Sequence, residues 1–431
     1  MITSLATSLT MAGFVLSAYE LVVTVVMALA GKLTDMLGER TAFVTFTALF
    51  SVGSVLCALA PNIYVLIGAR VVQALGGGGF MPCAAGIVSR EFPENRQRFI
   101  GLFSSIFPIG MIIGPNLGGW MVQSFGWRSI FWFNVPLGIL VLILAWLLVP
   151  ADKERTRTTI DSVGAGLLFG ALGALMFAFT EFDSSPLPLV ITLAVVGASL
   201  LYAFVRWEKH TKEPIIDLEL LRQRPFLASN IYNILYGIAG LGIFSMVPLY
   251  AVSVYKMTVL ESGVLLTPRS IGMIAASTIT SFSLVKWGYR RPILVGTLLV
   301  GACLGALALQ PQRISLFGLA MGVTPLLYVI IGLCGVGHGM ATPAANNACI
   351  ELMPDKVATI TGLRGMFRNL GSAIGIAGAT VVINAVQDVR RAYYFVFLAP
   401  VVVLLISIPF VFVMPSSAVV GSDRAAPARA H

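Results

Sequence analysis

Long apolar stretches recur from one end of this chain to the other and are separated by short polar loops. Each stretch has about 20 residues, the length that a helix needs to cross a hydrocarbon core of roughly 30 Å. Of the 431 residues, 57% are hydrophobic and 11% are charged, and the mean hydropathy is +0.91. A transmembrane β-barrel would instead show short segments of alternating polarity. The sequence therefore predicts an all-α membrane protein with many spans.

We expect thirteen transmembrane helices. Their predicted bounds are 11–31, 41–60, 63–89, 98–124, 129–149, 162–181, 187–206, 227–252, 262–285, 292–310, 323–349, 358–385 and 393–414. Lysine and arginine concentrate in every second loop between these stretches, and the positive-inside rule assigns those loops to the cytoplasm. The C-terminus is then expected to be cytoplasmic, and Met1 to lie on the opposite side.

Several features of the sequence argue against functions other than transport or anchoring in a membrane. The formal net charge is +9, but the basic residues lie in loops as orientation signals do, so we expect no nucleic-acid partner. The five cysteines lie in apolar stretches without CxxC spacing, so neither a disulfide framework nor a metal site is predicted. The four glycines at 76–79 lack the Lys-Ser/Thr of a phosphate-binding loop. HExxH, GxSxG and paired carboxylates within a span are absent from the sequence, and we therefore expect no enzyme activity.

The first basic loop, GKLTDMLGER, runs from Gly31 to Arg40. Gly31 and Gly38 permit a tight turn between two helices. Asp35 is placed to accept hydrogen bonds from the exposed N-terminus of a neighbouring helix, where the helix dipole favours an anion. The alternative interpretation is a solvated turn with ordinary charges.

Arg70 and Gln73 lie one turn apart inside an apolar stretch. An arginine within a membrane span is costly and marks a functional site by default. The alternative is an arginine whose long side chain reaches the interface from a helix end.

Glycines recur every four residues at Gly110, Gly114 and Gly118, with Pro115 and Gly119 beside them. Residues at this spacing share one face of a helix. Small residues there let helices pack closely in lipid, where no hydrophobic force drives helices together. We therefore expect a second helix to approach this face closely.

Four motifs occur in order along the chain. They are GxLxDxxG at 31–38, RxxQxxG at 70–76, GxxxGPxxGG at 110–119 and GWRxxFxxNxPxG at 126–138. Together they resemble the major facilitator superfamily, and specifically its fourteen-span drug:proton antiporters. The resemblance covers essentially the whole chain, including two extra central spans within 162–206 and a PRxxG motif at 268–272. A degenerate echo of the first motif at 283–291 departs from the family, because Ser283 and Lys286 stand where the family has glycine and aspartate.

The resemblance implies a major facilitator fold, in which two six-helix bundles with two extra central helices alternate access to a cavity. It also implies roles for the motif residues. The glycine face would be the antiporter motif (Gly110, Gly114, Pro115, Gly118, Gly119), the first loop would belong to the cytoplasmic gate (Gly31, Asp35, Gly38, Arg40), and Arg70 and Gln73 would lie near the proton path.

One departure concerns the start of the chain. Family members place a further helix with an acidic residue before the stretch that starts here at residue 11. We expect that this helix is missing from a truncated or mis-started product, so that its acid has no counterpart here. The alternative is a protein that works with thirteen helices.

Ionisable groups within spans are the remaining candidates for proton coupling or substrate binding. Glu20 lies mid-span, where its charged form is costly, which suits a group that takes up and releases a proton; a purely structural contact with a neighbouring arginine is the alternative. His338 titrates near neutral pH in water, or serves only in packing. Arg269, Arg364 and Arg368 give the C-terminal half positive potential. Arg364 and Arg368 share a helix face, and either hold an anionic substrate group or only orient the helix.

We predict an N-terminal bundle at 1–150, two central linker helices at 151–225, a C-terminal bundle at 226–415 and a disordered cytoplasmic tail at 416–431. The leading hypothesis is secondary active transport: export of amphipathic small molecules across a bacterial inner or plasma membrane, driven by protons without a cofactor. Its partners would be the bilayer, the substrate and protons, and the sequence identifies no accessory export protein. Two alternatives are an exporter of an endogenous lipid, peptide or anionic metabolite, and a non-transporting membrane fragment or interaction partner.

Overall fold

The computed structural model describes residues 9–104, 106–152, 161–180, 186–211, 214–216, 218–312, 314–316 and 319–416. Nearly all of this part is helical, as expected of apolar segments that must satisfy their own backbone hydrogen bonds in lipid. The first seven helices are α1 (Leu9–Leu37), α2 (Glu39–Leu59), α3 (Ile63–Gly77), α4 (Phe80–Glu91), α5 (Arg96–Phe103), α6 (Ile106–Phe125) and α7 (Arg128–Leu148). Of the predicted tail, the described part contains only Ser416.

Eleven further α-helices follow in the described chain. They are α8 (Ser162–Thr180), α9 (Leu187–Glu208), α10 (Leu218–Arg222), α11 (Arg224–Tyr236), α12 (Val247–Tyr255), α13 (Val259–Val264), α14 (Thr267–Trp287), α15 (Arg290–Ala308), α16 (Val323–Leu352), α17 (Val357–Ala385) and α18 (Val389–Val413). A π-helical segment, Gly237–Gly242, and a 3₁₀ segment, Ile243–Met246, join α11 to α12. Two short antiparallel strands, β1 (Ile314–Leu316) and β2 (Leu319–Met321), precede α16.

All thirteen predicted spans coincide with helical stretches, some of them built from two helices in succession. Eleven stretches in the described chain are long and apolar enough to cross a membrane by length and composition. The apolar part of α8 is shorter, and α14 is not among the eleven. α14 carries both Arg269 and Lys286, which lower its apolar character.

The helices form two bundles that meet along one side. In the N-terminal bundle α2 packs on α3 and α7, and α1 packs on α3. In the C-terminal bundle α16 packs on α14 and α15, while α18 packs on α11 and α15. The bundles meet where α1 and α4 contact α17 and where α5 contacts α14 and α16, and α8 and α9 pack together beside α1.

The bundles are joined on the side of the loops predicted to be cytoplasmic, which we call the basic side. A core cluster there contains Val25 of α1, Ile350 of α16 and Val357 of α17. Ile215 and Ile216, just before the short helix α10, are buried in the same cluster. The apolar residues of this segment therefore pack into the junction of the bundles.

Local signals set the helix ends. Gly38 ends α1 with φ +86°, a conformation that side chains rarely adopt. Asn62 caps α3 by accepting a hydrogen bond from the Val65 amide at 2.9 Å. Thr258 and Glu261 form a capping box at the start of α13. These residues therefore determine where α1 ends and where α3 and α13 begin.

Candidate functional site

An ion pair closes the basic side between the two bundles. Nη2 of Arg96, at the start of α5, lies 3.1 Å from Oε2 of Glu351, near the end of α16. The Tyr289 hydroxyl donates to the same carboxylate oxygen at 3.3 Å. Asn347 of α16 also donates from Nδ2 to the Gln97 carbonyl at 3.3 Å. Neither residue was a candidate in the sequence analysis, although an acid at the end of an apolar span was a usable signal for Glu351.

The first basic loop contributes to the same closure. The Thr359 hydroxyl, in the first turn of α17, donates to Oδ2 of Asp35 at 3.5 Å. Asp35 thus lies against the N-terminus of a helix from the other bundle, where the dipole favours an anion. Gly31 is equally close, since a Cβ there would lie 2.2 Å from Cα of Thr359. The structure therefore brings Gly31 and Asp35 to the bundle junction.

Gly38 and Arg40 lie instead beside the end of α7. Oδ1 and Oδ2 of Asp152 accept hydrogen bonds from the amides of Arg40 and Thr41, each at 3.0 Å. The Thr41 hydroxyl donates to the same carboxylate at 2.7 Å. Burial disfavours the charged form, but these three hydrogen bonds outweigh it and hold the pKa of Asp152 below its usual value. The Arg40 guanidinium lies 4.3 Å over the Trp146 ring.

Asp152 was not a candidate in the sequence analysis. Its carboxylate lies at the N-terminus of α2. The sequence analysis expected Asp35 to play this part at the N-terminus of a neighbouring helix. A Cβ on Gly38 would lie 2.2 Å from Cγ of Asp152, so a glycine here leaves the room that Asp152 occupies. The glycine also permits the positive φ at this position. An acid directly after a long span and near a glycine-rich loop was the available signal.

A cleft that opens to solvent lies between the bundles, and the cavity within it has a volume of about 50 Å³. The N-terminal bundle contributes mainly apolar groups, among them Met81, Phe103 and Phe107. The C-terminal bundle contributes most of the polar groups, which are Tyr232, Asn233, Tyr236, Ser277, His338, Thr342, Asn346, Thr361, Arg364 and Arg368. Among the described residues that line it, none is an aspartate or a glutamate.

Two of the predicted arginines face this cavity. Arg364 and Arg368 lie one turn apart on α17 and both line it. Arg364 is 6% exposed, and Nε of each arginine has no hydrogen-bond partner in the described chain. In the structure the shared face of Arg364 and Arg368 therefore points to the cavity.

His338 and Arg269 meet at the π-helical segment. A π-turn leaves backbone carbonyls available to other partners, and the Gly240 carbonyl lies 3.0 Å from Nε2 of His338 and accepts from Nη2 of Arg269 at 3.1 Å. Nδ1 of His338 lies 3.0 Å from the Cys334 carbonyl. His338 lines the cavity, whereas Arg269 lies behind it with its guanidinium 4.0 Å over the Phe244 ring.

Arg70 and Gln73 form a polar cluster within the N-terminal bundle. Nη1 of Arg70 donates to Oε1 of Gln73 at 2.6 Å, and Nε2 of Gln73 donates to the Ser54 hydroxyl at 2.8 Å. Nε of Arg70 donates to the Val15 carbonyl at 3.4 Å, and the guanidinium lies 3.8 Å over the Tyr19 ring. The cluster therefore links α3 to α1 and α2, and it does not line the central cavity.

Glu20 follows Tyr19 on α1, and its side chain is exposed. The Arg70 guanidinium lies over the ring of the adjacent Tyr19. The three ion pairs between described residues do not include Glu20. The structural alternative for Glu20, a close pairing with an arginine, is therefore not observed in this part of the chain.

The glycine face of α6 differs from expectation. Gly110, Gly114, Gly118 and Gly119 each have no described atom of another part of the chain within 4 Å of an added Cβ. α6 contacts α7 and α14 elsewhere on its surface, and of the Pro115 side chain the structure describes nothing. The predicted close approach of a second helix is therefore wrong for the described chain.

Comparisons with known proteins agree with this architecture. Residues 1–376 match the Major Facilitator Superfamily. The Multidrug resistance protein B homolog of Mycobacterium tuberculosis is 30% identical over 86% of this chain and 68% of its own length. The Methylenomycin A resistance protein of Streptomyces coelicolor is 29% identical over 89% and 80%.

A solved structure supports the fold independently. The human organic anion transporter MFSD10 (TETRAN) superposes with a TM-score of 0.67 at 16% identity, over 93% of this chain and 83% of its own. The fourteen-span subfamily and the missing first helix stay predictions. The all-α fold with two facing bundles is confirmed, and the chain belongs to the Major Facilitator Superfamily of membrane transporters.

Proposed function

We propose that this protein exports amphipathic small molecules, drugs among them, across a bacterial inner or plasma membrane in exchange for protons. The observation that carries the proposal is the cavity between the bundles, whose basic side is closed by Arg96 with Glu351 and by Asp35 with Thr359. Alternating access needs such a cavity between two bundles that can rock against each other. The names of the multidrug and methylenomycin resistance relatives support drugs as the substrate class.

The walls of the cavity suit an amphipathic substrate. Phe103, Phe107 and Met273 provide apolar surface, while the stacked rings of Tyr232 and Tyr236, 5.4 Å apart, offer large faces with polar tips. Mostly apolar pockets with a few polar groups bind small organic molecules. If the basic side is cytoplasmic, the described state is closed to the cytoplasm and corresponds to the stage of substrate release.

We assign proton coupling to Glu20. Glu20 is adjacent to Tyr19, whose ring lies under the Arg70 guanidinium, and Arg70 holds α3 to the Val15 carbonyl of α1. α1 in turn contacts the C-terminal bundle, where Nδ2 of Asn369 donates to the Thr24 hydroxyl at 3.4 Å. Protonation of Glu20 removes a negative charge beside Arg70, and this changes the electrostatics at a helix that lies on the bundle junction.

The test is transport of the cationic dye tetramethylrhodamine methyl ester by the purified protein in liposomes under an imposed pH gradient. The wild type is expected to transport faster with the gradient than without it. Glu20→Gln should lose this acceleration while it retains dye exchange without a gradient. Glu94→Gln, which changes an exposed acid in the loop before α5, is the matched control. Gradient-driven transport that Glu20→Gln leaves unaltered would remove Glu20 from the mechanism. A wild type that transports neither this cationic dye nor an anionic dye of similar shape would contradict export.

His338 is a second position for a proton. Both ring nitrogens face carbonyl oxygens, so the imidazolium donates to both, whereas the neutral ring donates to only one. Arg269 shares the Gly240 carbonyl and opposes a further positive charge there. We therefore expect His338→Gln to reduce the gradient dependence less than Glu20→Gln does in the same assay.

A further inference from the structure

The cavity carries positive charge on one wall without an opposing carboxylate. Arg364 and Arg368 both line it, and the described lining residues include no aspartate or glutamate. The three ion pairs between described residues involve neither arginine. A buried cation normally has a partner, because an isolated charge loses its hydration without compensation.

The hydrogen-bonding capacity of this wall is also unused. Nε of Arg364 and Nε of Arg368 have no partner in the described chain, and the same holds for Oγ1 of Thr361, one turn before Arg364 on α17. Arg364 is 6% exposed and Thr361 is 4% exposed. Like charges one turn apart on a helix repel each other. An anion between the two guanidinium groups would relieve this repulsion and accept the free N–H groups.

Aromatic and apolar groups surround this charged wall. Tyr236 and Tyr232 stack on one side, and Phe103, Phe107 and Met273 complete the lining. A small inorganic anion would leave most of this apolar surface uncovered. A carboxylate or sulfonate attached to a flat apolar body satisfies the arginines and covers the surface at once.

We infer that Arg364 and Arg368 form a subsite for the anionic group of an amphipathic organic anion, with its apolar body between the tyrosines and Phe107. The inference rests on the proposed export function and names a substrate class for the same cavity. Arg269 belongs to a different arrangement, since it lies outside the lining and donates to the Gly240 carbonyl. The anion therefore contacts the two arginines of α17 and not the third arginine.

The test compares two xanthene dyes of similar shape and opposite charge, carboxyfluorescein and tetramethylrhodamine methyl ester. Binding to the purified protein is measured by fluorescence polarisation, and transport is measured in liposomes. The variants are Arg364→Met and Arg368→Met, which keep a long side chain and remove the charge. Arg206→Met is the matched control, because Arg206 is exposed near the end of α9 and lies outside the cavity lining.

Each Met variant is expected to weaken carboxyfluorescein binding about tenfold or more, which is the loss of a charged hydrogen-bonding partner. Binding of the cationic dye should stay within about twofold of wild type or improve. Arg206→Met should change the binding and transport of neither dye. Arg364→Lys should recover part of the anion affinity, because it restores the charge without the planar guanidinium.

Other outcomes overturn the inference. An equal loss for both dyes would make the arginines structural, and unchanged anion binding in both Met variants would exclude the subsite. If the variants fail to fold, the wild type decides: binding of the cationic dye with higher affinity than the anionic dye contradicts an anion subsite. Short-chain phosphatidylglycerol, compared with phosphatidylcholine as a competitor for carboxyfluorescein, distinguishes a lipid phosphate from a soluble organic anion as the source of the same chemistry.

The inference and the proposed function fail in different ways. A wild type that transports the cationic dye but neither binds nor transports the anionic dye retains export and loses the subsite. A wild type that binds carboxyfluorescein with the expected arginine dependence, but transports neither dye, retains the subsite and loses export.

Discussion

Two glycine-rich helix faces in this protein look alike in the sequence and differ in the structure. On α16, Cβ atoms added to Gly335 and Gly339 would lie 2.0 Å from the Arg269 carbonyl and 2.5 Å from the Met273 carbonyl of α14. On α6, Cβ atoms added to Gly110 and Gly114 would meet nothing within 4 Å. Four-residue spacing therefore shows that a helix can be approached closely, but not that the described chain contains a helix that does so.

An arginine inside each of the two bundles shows the same contrast. Arg70 in the N-terminal bundle is satisfied by Gln73, the Val15 carbonyl and the Tyr19 ring. Arg364 in the C-terminal bundle keeps an unused Nε beside the cavity. The first arginine stabilises the bundle that contains it, while the second is a cost to the empty protein and becomes useful only with a ligand.

The largest expected effect tests the closed glycine face. Gly335→Ala should lower the free energy of unfolding by about 3 kcal/mol, because the new methyl group would overlap backbone atoms of α14 that cannot move independently. Thermal unfolding of the detergent-solubilised protein measures this as a decrease in Tm. Gly305→Ala on the neighbouring α15, where an added Cβ meets nothing within 4 Å, is the control. Equal Tm values for the two variants would break the distinction between packed and open glycines.

The same substitution, arginine to methionine, should change the free energy of unfolding in opposite directions at Arg70 and Arg364. Arg70→Met should destabilise the protein by about 2 kcal/mol, because Oε1 of Gln73 loses a charged donor in a buried position. Arg364→Met should raise the stability of the ligand-free protein, since it removes an uncompensated charge beside Arg368. Parallel unfolding curves without ligand check both signs, and destabilisation by both variants would argue that Arg364 is satisfied in the absence of a ligand.

The sequence predicted the helices better than it predicted the site. The apolar stretches and their lengths identified the all-α membrane fold, because a backbone in lipid has few alternatives to the helix. The motif at 31–38 suggested that Asp35 meets the N-terminus of another helix, and in the structure Asp35 accepts a hydrogen bond from Thr359 in the first turn of α17. The role of Glu20 in proton coupling stays a prediction, because no contact of its carboxylate tests it.

What the sequence could not supply depended on distant partners. The pairing of Arg96 with Glu351 joins positions that are 255 residues apart, and each residue alone reads as a solvated charge. The cavity position of Arg364 depends on the rotation of α17, and an i, i+4 spacing does not determine which way that face points. The use of the Gly240 carbonyl by His338 and Arg269 depends on a π-turn that no residue pattern in GIAGLG predicts.

A smaller effect tests the contribution of the Asp152 anion at the N-terminus of α2. Asp152→Asn should destabilise the protein by about 1 kcal/mol, because it removes an anion from the N-terminus of α2 at a half-buried position. Since the folded-state pKa of Asp152 is below its usual value, the difference from wild type should be fully present above the unfolded-state pKa. It should be lost as the pH falls through the folded-state pKa. Unfolding measured from neutral to acidic pH checks the sign, and a difference that grows on acidification would contradict it.

The smallest effect belongs to the open face of α6. Gly114→Ala should change the free energy of unfolding by less than about 1 kcal/mol, in the stabilising direction, because alanine is the better helix former and the methyl group meets open space. Dye transport should also be unchanged if nothing occupies this face. A loss of stability or transport as large as that of Gly335→Ala would mean that a group outside the described chain packs against these glycines. Both glycine faces would then be packed, the face of α16 against α14 and the face of α6 against a group outside the described chain.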